Sequence, residues 1–239
     1  MSDEKIWNEL AAEYDKKYNS STDWKLGYPS VEKILGSMNK KTILDYGCAS
    51  GKFSRRMRNL KASVIAVDES YDMIERAKLY DKRNIDFQVI ENDNLSFIKS
   101  ESIDSAVATF VFCTMRSDDQ VKRIAWQIYE KLVDNGSFVI LEPHPEALGH
   151  NYVSMRREKP QKIQKGIPIK VELTGMNVSF YDYWRGVGDY VDIFSKSEFK
   201  INEIVAPIVE NDFDELFWKD ERVHPPFLII HLKKEKNKN

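Results

Sequence analysis

A short glycine turn behind an apolar run carries the clearest chemical pattern in this sequence. Residues 43–53 read Ile-Leu-Asp-Tyr-Gly-Cys-Ala-Ser-Gly-Lys-Phe, an order that predicts a buried strand, a tight turn and the start of a helix. Glycine is favoured where the backbone takes a positive φ or approaches a ligand closely, and the first turn of a helix offers free N–H groups. The segment therefore predicts a ligand site built largely from backbone.

The spacing of the glycines separates this turn from two phosphate-binding loops. A dinucleotide site favours G-x-G-x-x-G, and a P-loop requires G-x-x-x-x-G-K-[ST]. Here three residues stand between Gly47 and Gly51, with Ala49 in the middle. The turn therefore makes weak provision for a pyrophosphate.

An acidic residue, Asp68, directly follows the next apolar run, residues 62–67. An acid at the end of the second strand of a β-α-β unit is suited to bind two ribose hydroxyls. A nucleoside site with little provision for a pyrophosphate points to S-adenosylmethionine. Taken singly, the turn and the acid also fit a helix cap and an N-cap aspartate, but their combination at this spacing favours a ligand.

The elements that must position these residues alternate between strand and helix patterns. Strands are predicted over 42–46, 62–67, 85–90, 104–112 and 137–141. Helices are predicted over about 4–18, 30–38, 53–60, 72–79 and from 121 to a stop at Asn135-Gly136. Alternation of this kind predicts a parallel sheet with helices on both faces.

The pattern changes after the fifth strand. Residues 167–180 alternate between apolar and polar around a turn at 174–177, which predicts a β-hairpin outside the main sheet. A helix over about 187–194 and strands over 201–205 and 227–232 complete the chain. The basic stretch 156–165 has no interleaved aromatic residues, so we expect a solvated loop there rather than an RNA-binding surface.

Four segments together resemble the class I S-adenosylmethionine-dependent methyltransferases, in the branch that acts on small molecules. The likeness runs from about Trp7 to Gly136 and returns in the final strand. The segments that resemble the four family motifs are 43–51, where Ala49 replaces the usual glycine, then 67–73, 87–95 and 110–115.

The resemblance implies the fold and the cofactor contacts. The implied fold is α/β: a Rossmann-like seven-stranded sheet, mostly parallel with an antiparallel C-terminal strand, helices on both faces, and a small β-hairpin/helix substrate cap. By resemblance the turn at Gly47 approaches the methionine moiety, Asp68 holds the ribose and Met73 packs on the adenine. The full set of expected contacts is Asp45, Gly47, Cys48, Ala49, Gly51, Asp68, Glu69, Met73, Glu91, Asn92 and Phe110.

The third motif leaves its register open. Counting from Phe87 and Leu95 puts Glu91 at the position where the family usually has an aspartate for the adenine amino group. Asn92 stands beside it. Asp93 is the alternative if the register slips.

Methyl transfer needs little catalytic machinery, because the cofactor carries an activated methyl group and alignment supplies much of the rate. A general base is needed only if the acceptor is protonated at working pH. His144 and Tyr14 are the candidates for a base or acceptor contact, and each also fits a structural role. Further acceptor contacts are expected from Tyr183, Trp184, Arg185 and His224.

Composition excludes several other classes. The chain has 239 residues with a net charge of −2, which argues against a polycationic nucleic-acid binder. No apolar run approaches membrane-helix length, and the start lacks a secretory pattern. Cys48 and Cys113 are expected to be reduced thiols in a cytoplasmic protein. The dispersed His and Cys residues predict no metal site.

These features predict a single methyltransferase domain over 1–239. Its parts are an N-terminal helical lid (1–41), a cofactor-binding core (42–141), a substrate cap (142–200) and C-terminal strands (201–239). The leading hypothesis is methyl transfer to an N or O nucleophile of a small molecule in a biosynthetic pathway, by a monomer or homodimer without a membrane or nucleic-acid partner. The alternatives are a tRNA or protein methyltransferase, a cofactor-binding protein without transfer activity, and a nicotinamide-dependent oxidoreductase.

Overall fold

Ten strands and five α-helices frame the part of the chain that the computed structural model describes, residues 21–81, 84–175, 178–210 and 217–236. The strands are β1 Thr42–Tyr46, β2 Ser63–Asp68, β3 Ile85–Val89, β4 Ile103–Thr109, β5 Leu132–Pro143, β6 Met155–Arg157, β7 Pro168–Leu173, β8 Val178–Tyr183, β9 Phe199–Val205 and β10 Phe227–Lys234. The helices are α1 Tyr28–Leu35, α2 Lys52–Asn59, α3 Tyr71–Tyr80, α4 Asp118–Lys131 and α5 Val187–Ser195. A π-helical turn, Asp23–Gly27, precedes α1. The predicted helix over 4–18, with Tyr14, lies outside the described residues.

Seven of the strands form one sheet in the order β3-β2-β1-β4-β5-β10-β9. The first five run parallel, and β10 pairs antiparallel with both β5 and β9. This confirms the predicted fold class. The strand order reverses between β1 and β4, and ligands bind at the carboxyl ends of strands at such a switch point in open α/β sheets.

Apolar side chains pack on both faces of this sheet. Helices α1, α2 and α3 cover one face through buried residues such as Val31, Met57 and Ile74. Helices α4 and α5 cover the other through residues such as Ile128 and Phe194. Strands buried on both faces are continuous apolar runs, which is why the sequence pattern identified them. In the described part of the chain, no helix has the length and apolar character needed to cross a bilayer.

A second sheet of three antiparallel strands, in the order β6-β7-β8, forms the cap. The predicted hairpin is present as β7 and β8. Strand β6 adds to it within the stretch expected to be a solvated loop. That expectation is wrong at Arg157, which is buried and forms an ion pair with Asp182 on β8. Sequence composition alone does not reveal such a partner.

Helix α4 ends four residues earlier than the Asn135-Gly136 signal predicts. Leu132 already has extended φ and ψ of −70° and 140° and pairs with Ile103 on β4. Asn135 takes a φ of +60°, so it makes an irregularity within β5 instead of a helix cap. Pairing with the neighbouring strand therefore outweighs the local capping preference.

Candidate active site

The turn between β1 and α2 needs glycine at two positions. Gly47 has a φ of +71°, and a Cβ atom there would collide with Cγ2 of Val111. Gly51 has a φ of +76°, and a Cβ atom there would lie 2.7 Å from the ring of Phe87. L side chains rarely adopt these φ values. The tight turn and its close contacts therefore both depend on the absence of a side chain.

Asp68 joins this turn to the end of β2. One of its oxygens accepts a hydrogen bond from the N–H of Ala49 at 2.8 Å, and the other accepts one from the N–H of Ser70 at 2.9 Å. Burial raises the pKa of Asp68, while these backbone N–H groups oppose the rise. A carboxylate oxygen has a second lone pair. Asp68 can therefore fix the turn and still accept hydrogen bonds from a ligand.

Asp45 lies buried at the base of the same turn. The hydroxyl of Ser54 donates to its Oδ2, whereas its Oδ1 has no hydrogen-bond partner in the described structure. Burial raises the pKa of Asp45 to about 7; the Ser54 hydrogen bond opposes the rise, and the nearby Asp68 carboxylate adds to it. Burial without a hydrogen-bond partner for the second oxygen is the physical reason that this carboxyl group ionises less readily than an exposed one.

A cavity of about 290 Å³ lies beside the turn, at the carboxyl ends of the parallel strands. The main sheet and its connections contribute Tyr46, Gly47, Ala49, Lys52, Asp68, Glu69, Met73, Ile90, Asp93 and Thr109. The cap and the residues leading to it contribute Val153, Ser154, Met155, Val171, Leu173, Thr174, Phe180 and Asp182. One part of the cavity is therefore lined by polar residues suited to a cofactor, and another part by the mostly apolar residues of the cap.

The loop after β4 adds Phe110, Val111, Cys113, Thr114 and Met115 to the lining, and other segments add Ser21, Asp23, Pro143, Phe217 and Phe227. Two buried side chains fix this loop. Glu142 accepts hydrogen bonds from the N–H groups of Phe112 and Cys113, and Arg185 donates to the carbonyls of Phe112 and Met115. Burial raises the pKa of Glu142 to about 7, against these hydrogen bonds.

Three stretches that cover the cavity meet at the buried side chain of Glu221. Its Oε1 accepts hydrogen bonds from the hydroxyl of Thr22 at 2.8 Å and from the N–H of Val153 at 2.7 Å. Its Oε2 accepts one from the N–H of Lys219 at 3.0 Å. One carboxylate thus joins the segment before α1, the approach to the cap and the segment before β10.

Comparison with known proteins places this arrangement in a family. Residues 43–136 match a family model described as a methyltransferase domain. N-demethylindolmycin N-methyltransferase from Streptomyces griseus is 26% identical over 237 residues, covering 93% of this chain and 95% of that protein. Together these matches support a class I S-adenosylmethionine-dependent methyltransferase. The chain carries a methyltransferase domain, and the solved structures that share its fold support S-adenosylmethionine as its cofactor.

Solved structures show the same fold at low identity. The CcbJ methyltransferase from Streptomyces caelestis superposes with a TM-score of 0.72 at 13% identity, covering 98% of this chain and all (100%) of that one. An S-adenosylmethionine-dependent methyltransferase from Mesorhizobium loti gives a TM-score of 0.66 at 18% identity, covering 90% of this chain and 99% of that one. Both likenesses extend beyond the core into the cap.

The structure brings together part of the cofactor-contact set expected for this methyltransferase. The expected contacts that line the cavity are Gly47, Ala49, Asp68, Glu69, Met73 and Phe110. Those outside the lining are Asp45, Cys48, Gly51, Glu91 and Asn92. Of these, Asp45, Cys48 and Gly51 are buried, Asp45 just before the turn and the other two within it.

In the third motif the acid on the cavity is Asp93. Glu91 and Asn92 are exposed to solvent, whereas Asp93 accepts hydrogen bonds from the hydroxyl of Tyr46 at 2.9 Å and the amide of Gln120 at 3.0 Å. The structure therefore favours the slipped register. These partners come from β1 and α4, so the sequence around Asp93 could not distinguish the two registers.

The candidate base His144 lies outside the cavity lining. Its Nδ1 accepts a hydrogen bond from the N–H of Glu146, and its carbonyl accepts one from Arg157. Burial lowers the pKa of His144, which favours the neutral ring that such acceptance needs. This geometry holds the turn after β5, a structural role.

The four expected acceptor contacts also lie outside the lining. Arg185 is used to hold the loop after β4, and the indole N–H of Trp184 donates to the carbonyl of Pro145. The ring of His224 stacks on that of His150, with centroids 3.9 Å apart. Tyr183 ends β8, one residue beyond the cavity-lining Asp182. Residues close to these in sequence do line the cavity, among them Asp182 on β8 and Phe227 at the start of β10.

Replacing Asp45 by Asn should flatten the pH dependence of stability in the cofactor-free protein. The folded-state pKa of Asp45 is raised from 3.8 to about 7, so its contribution is full below the unfolded pKa and is lost as pH rises through 7. The free energy of unfolding of the parent should therefore fall, relative to Asp45→Asn, by on the order of 3–4 kcal/mol between about pH 4 and 8. Denaturant unfolding across this range measures the difference, and parallel curves would contradict it.

Proposed function

We propose that this methyltransferase transfers the methyl group to a nitrogen atom of a small molecule with a largely apolar body. The observation that carries the proposal is the shared cavity, in which the glycine turn and Asp68 meet the apolar side chains of the cap. The choice of nitrogen is supported by the N-methyltransferase relative from Streptomyces griseus, which aligns over nearly the whole chain.

The size and charge of the site favour a small acceptor over a macromolecule. A cavity of about 290 Å³ is at the small end of ligand pockets, which run from about 300 Å³ upwards. Arg157, which belongs to the basic stretch 156–165, is buried and paired with Asp182. The cap therefore offers apolar contact to an acceptor, and one cation of the basic stretch is unavailable to a polyanion.

The residues of the turn are suited to hold the cofactor. The small Gly47 lets the backbone approach the charged methionine end closely, and the remaining lone pairs of Asp68 suit two ribose hydroxyls. Met73 and Ile90 supply apolar surface for a base, and Asp93 supplies an acceptor for an amino group.

The remaining task of the chain is alignment and exclusion of water. When bound, the cofactor supplies an activated methyl group on a sulfonium centre. The cap residues Met155 and Phe180 cover the cavity, and Glu221 joins the covering segments. An enclosed acceptor nitrogen can then be aligned with the methyl group, which by itself contributes on the order of 7–11 kcal/mol to lowering the barrier.

A methyl-transfer screen tests this proposal. The purified protein is incubated with S-adenosylmethionine and N-demethylindolmycin, or with a panel of aromatic primary and secondary amines, each paired with the matching alcohol. We expect cofactor-product release together with an N-methylated product for at least one amine. Exclusive O-methylation, or transfer of labelled methyl only to bulk tRNA or protein, would contradict the proposal.

A further inference from the structure

The inner face of the cap is apolar except for one ion pair. The register of β6, β7 and β8 puts cross-strand neighbours on the same face, so Arg157, Val171 and Phe180 lie side by side. Their opposite face carries exposed polar residues, including Arg156 and Glu172. Asp182 lies on the inner face as well, at 1% exposure. A buried ion pair on an otherwise apolar face is costly to desolvate, so its presence needs a physical explanation.

The geometry of the pair turns one member towards the cavity. Arg157 donates from Nε to Oδ2 of Asp182 at 2.9 Å and from Nη2 to Oδ1 at 3.0 Å. Its Nη1 donates to the carbonyl of His144 at 3.0 Å. Asp182 lines the cavity and Arg157 does not. The guanidinium therefore backs the carboxylate and fixes its orientation.

Stability alone is a weak reason for this pair. Removing two charges from water is costly, and well-packed apolar residues in place of a buried pair are often as stable or more stable. Each oxygen of Asp182 accepts one hydrogen bond from Arg157, which leaves each with a further lone pair. Among the described residues of the cavity lining, Asp182 is the one carboxylate that β6, β7 and β8 supply.

We propose that Asp182, held by Arg157, determines acceptor specificity by accepting a hydrogen bond from an N–H group of the acceptor. The substrate class is then an amine, or another N–H compound, with an apolar body that fits Val171, Leu173 and Phe180. This inference rests on the proposed function and adds the group that selects the acceptor. A site built to bond an N–H group disfavours an analogue without one, since the carboxylate stays buried without that partner.

The test compares amines with their carbon isosteres. 2-(1-Naphthyl)ethylamine is paired with 1-propylnaphthalene, and phenethylamine with propylbenzene, so that neither isostere carries an N–H group. Each probe is titrated onto the protein saturated with S-adenosylhomocysteine, with binding followed by ligand-observed NMR. We expect the parent to bind the amines at least about 10-fold more tightly than the isosteres, and Asp182→Asn to reduce this ratio to about 2-fold or less. The Kd for S-adenosylhomocysteine should stay within about 2-fold of the parent value.

A double variant controls for the instability that Asp182→Asn alone could cause. Asp182→Asn leaves the Arg157 charge buried without its counter-ion, so Arg157→Met/Asp182→Leu removes both charges together. It should bind the cofactor product and lose the amine preference. The matched control is Lys170→Gln/Glu172→Gln, which removes an exposed pair from β7 and should keep the preference.

The outcomes separate the inference from the proposed function. Equal binding of amines and isosteres by the parent, no binding of any probe, or a preference that survives in both Asp182 variants overturns the inference. If the preference depends on Asp182 but the parent methylates no nitrogen compound, the inference stands and the proposed function fails.

Discussion

Asp68→Ala should weaken S-adenosylmethionine binding by about 100-fold or more. Hydrogen bonds to a charged group are worth about 1.5–3 kcal/mol each, and two lone pairs of this carboxylate are available to a ligand. The substitution also leaves the N–H groups of Ala49 and Ser70 without their acceptor. Because both groups hold the turn, the cofactor loses direct contacts and a preorganised backbone together. Calorimetric titration with S-adenosylmethionine measures the change.

Two further variants separate these effects. Asp68→Asn keeps an acceptor for one N–H group but removes the charge, so it should bind more tightly than Asp68→Ala and more weakly than the parent. Asp86→Ala is the control, since Asp86 is an exposed acid on the neighbouring strand β3. Parent-like affinity in Asp68→Ala would exclude Asp68 from the cofactor site.

Gly47→Ala should destabilise the fold as well as the site. The φ of +71° disfavours any L side chain, at a cost of about 1–2 kcal/mol. The added methyl group would also collide with Val111, and overpacking of this kind costs typically about 1–3 kcal/mol. The free energy of unfolding should therefore fall by about 2–5 kcal/mol, as measured by denaturant unfolding without cofactor.

Gly166→Ala provides the matched control. Gly166 has a similar φ of +77°, but no atom lies within 4 Å of an added Cβ. It should therefore show only the backbone part of the cost. Adding Val111→Ala to Gly47→Ala should recover part of the lost stability, because it removes the colliding methyl groups. Equal losses in the two single variants, or no recovery in the double variant, would contradict the steric explanation.

The cap shows where sequence reasoning reached its limit. The alternation of residues 167–180 predicted a hairpin, which is present as β7 and β8. Strand β6 is only three residues long, and its basic residues resemble those of a solvated loop. Its place in the sheet depends on pairing with β7 and on the ion pair between Arg157 and Asp182. Neither interaction leaves a local signal.

His144, which was expected to act as a base, also shows that local sequence does not predict contacts with distant residues. The position of His144 after β5 placed it at the correct end of the sheet. Whether its ring faces the cavity depends on the hydrogen bond that its Nδ1 accepts from Glu146 and on the one that its carbonyl accepts from Arg157. Sequence position along a strand predicts the edge of a sheet but not the direction of a loop side chain.

The sequence by itself determined the sheet, the family and the glycine turn with Asp68, because these depend on periodicity and on residues close together along the chain. Tertiary structure alone decided that Asp93 is the acid on the cavity in the third motif and that Asp182 is the carboxylate of the cap. Each is set by partners distant in sequence, Tyr46 and Gln120 for the first and Arg157 for the second. The residue types near a position limit the backbone conformations available there, so local sequence can predict them. The direction of a charged side chain depends on the hydrogen-bond and ion-pair partners that folding brings to it from distant parts of the chain.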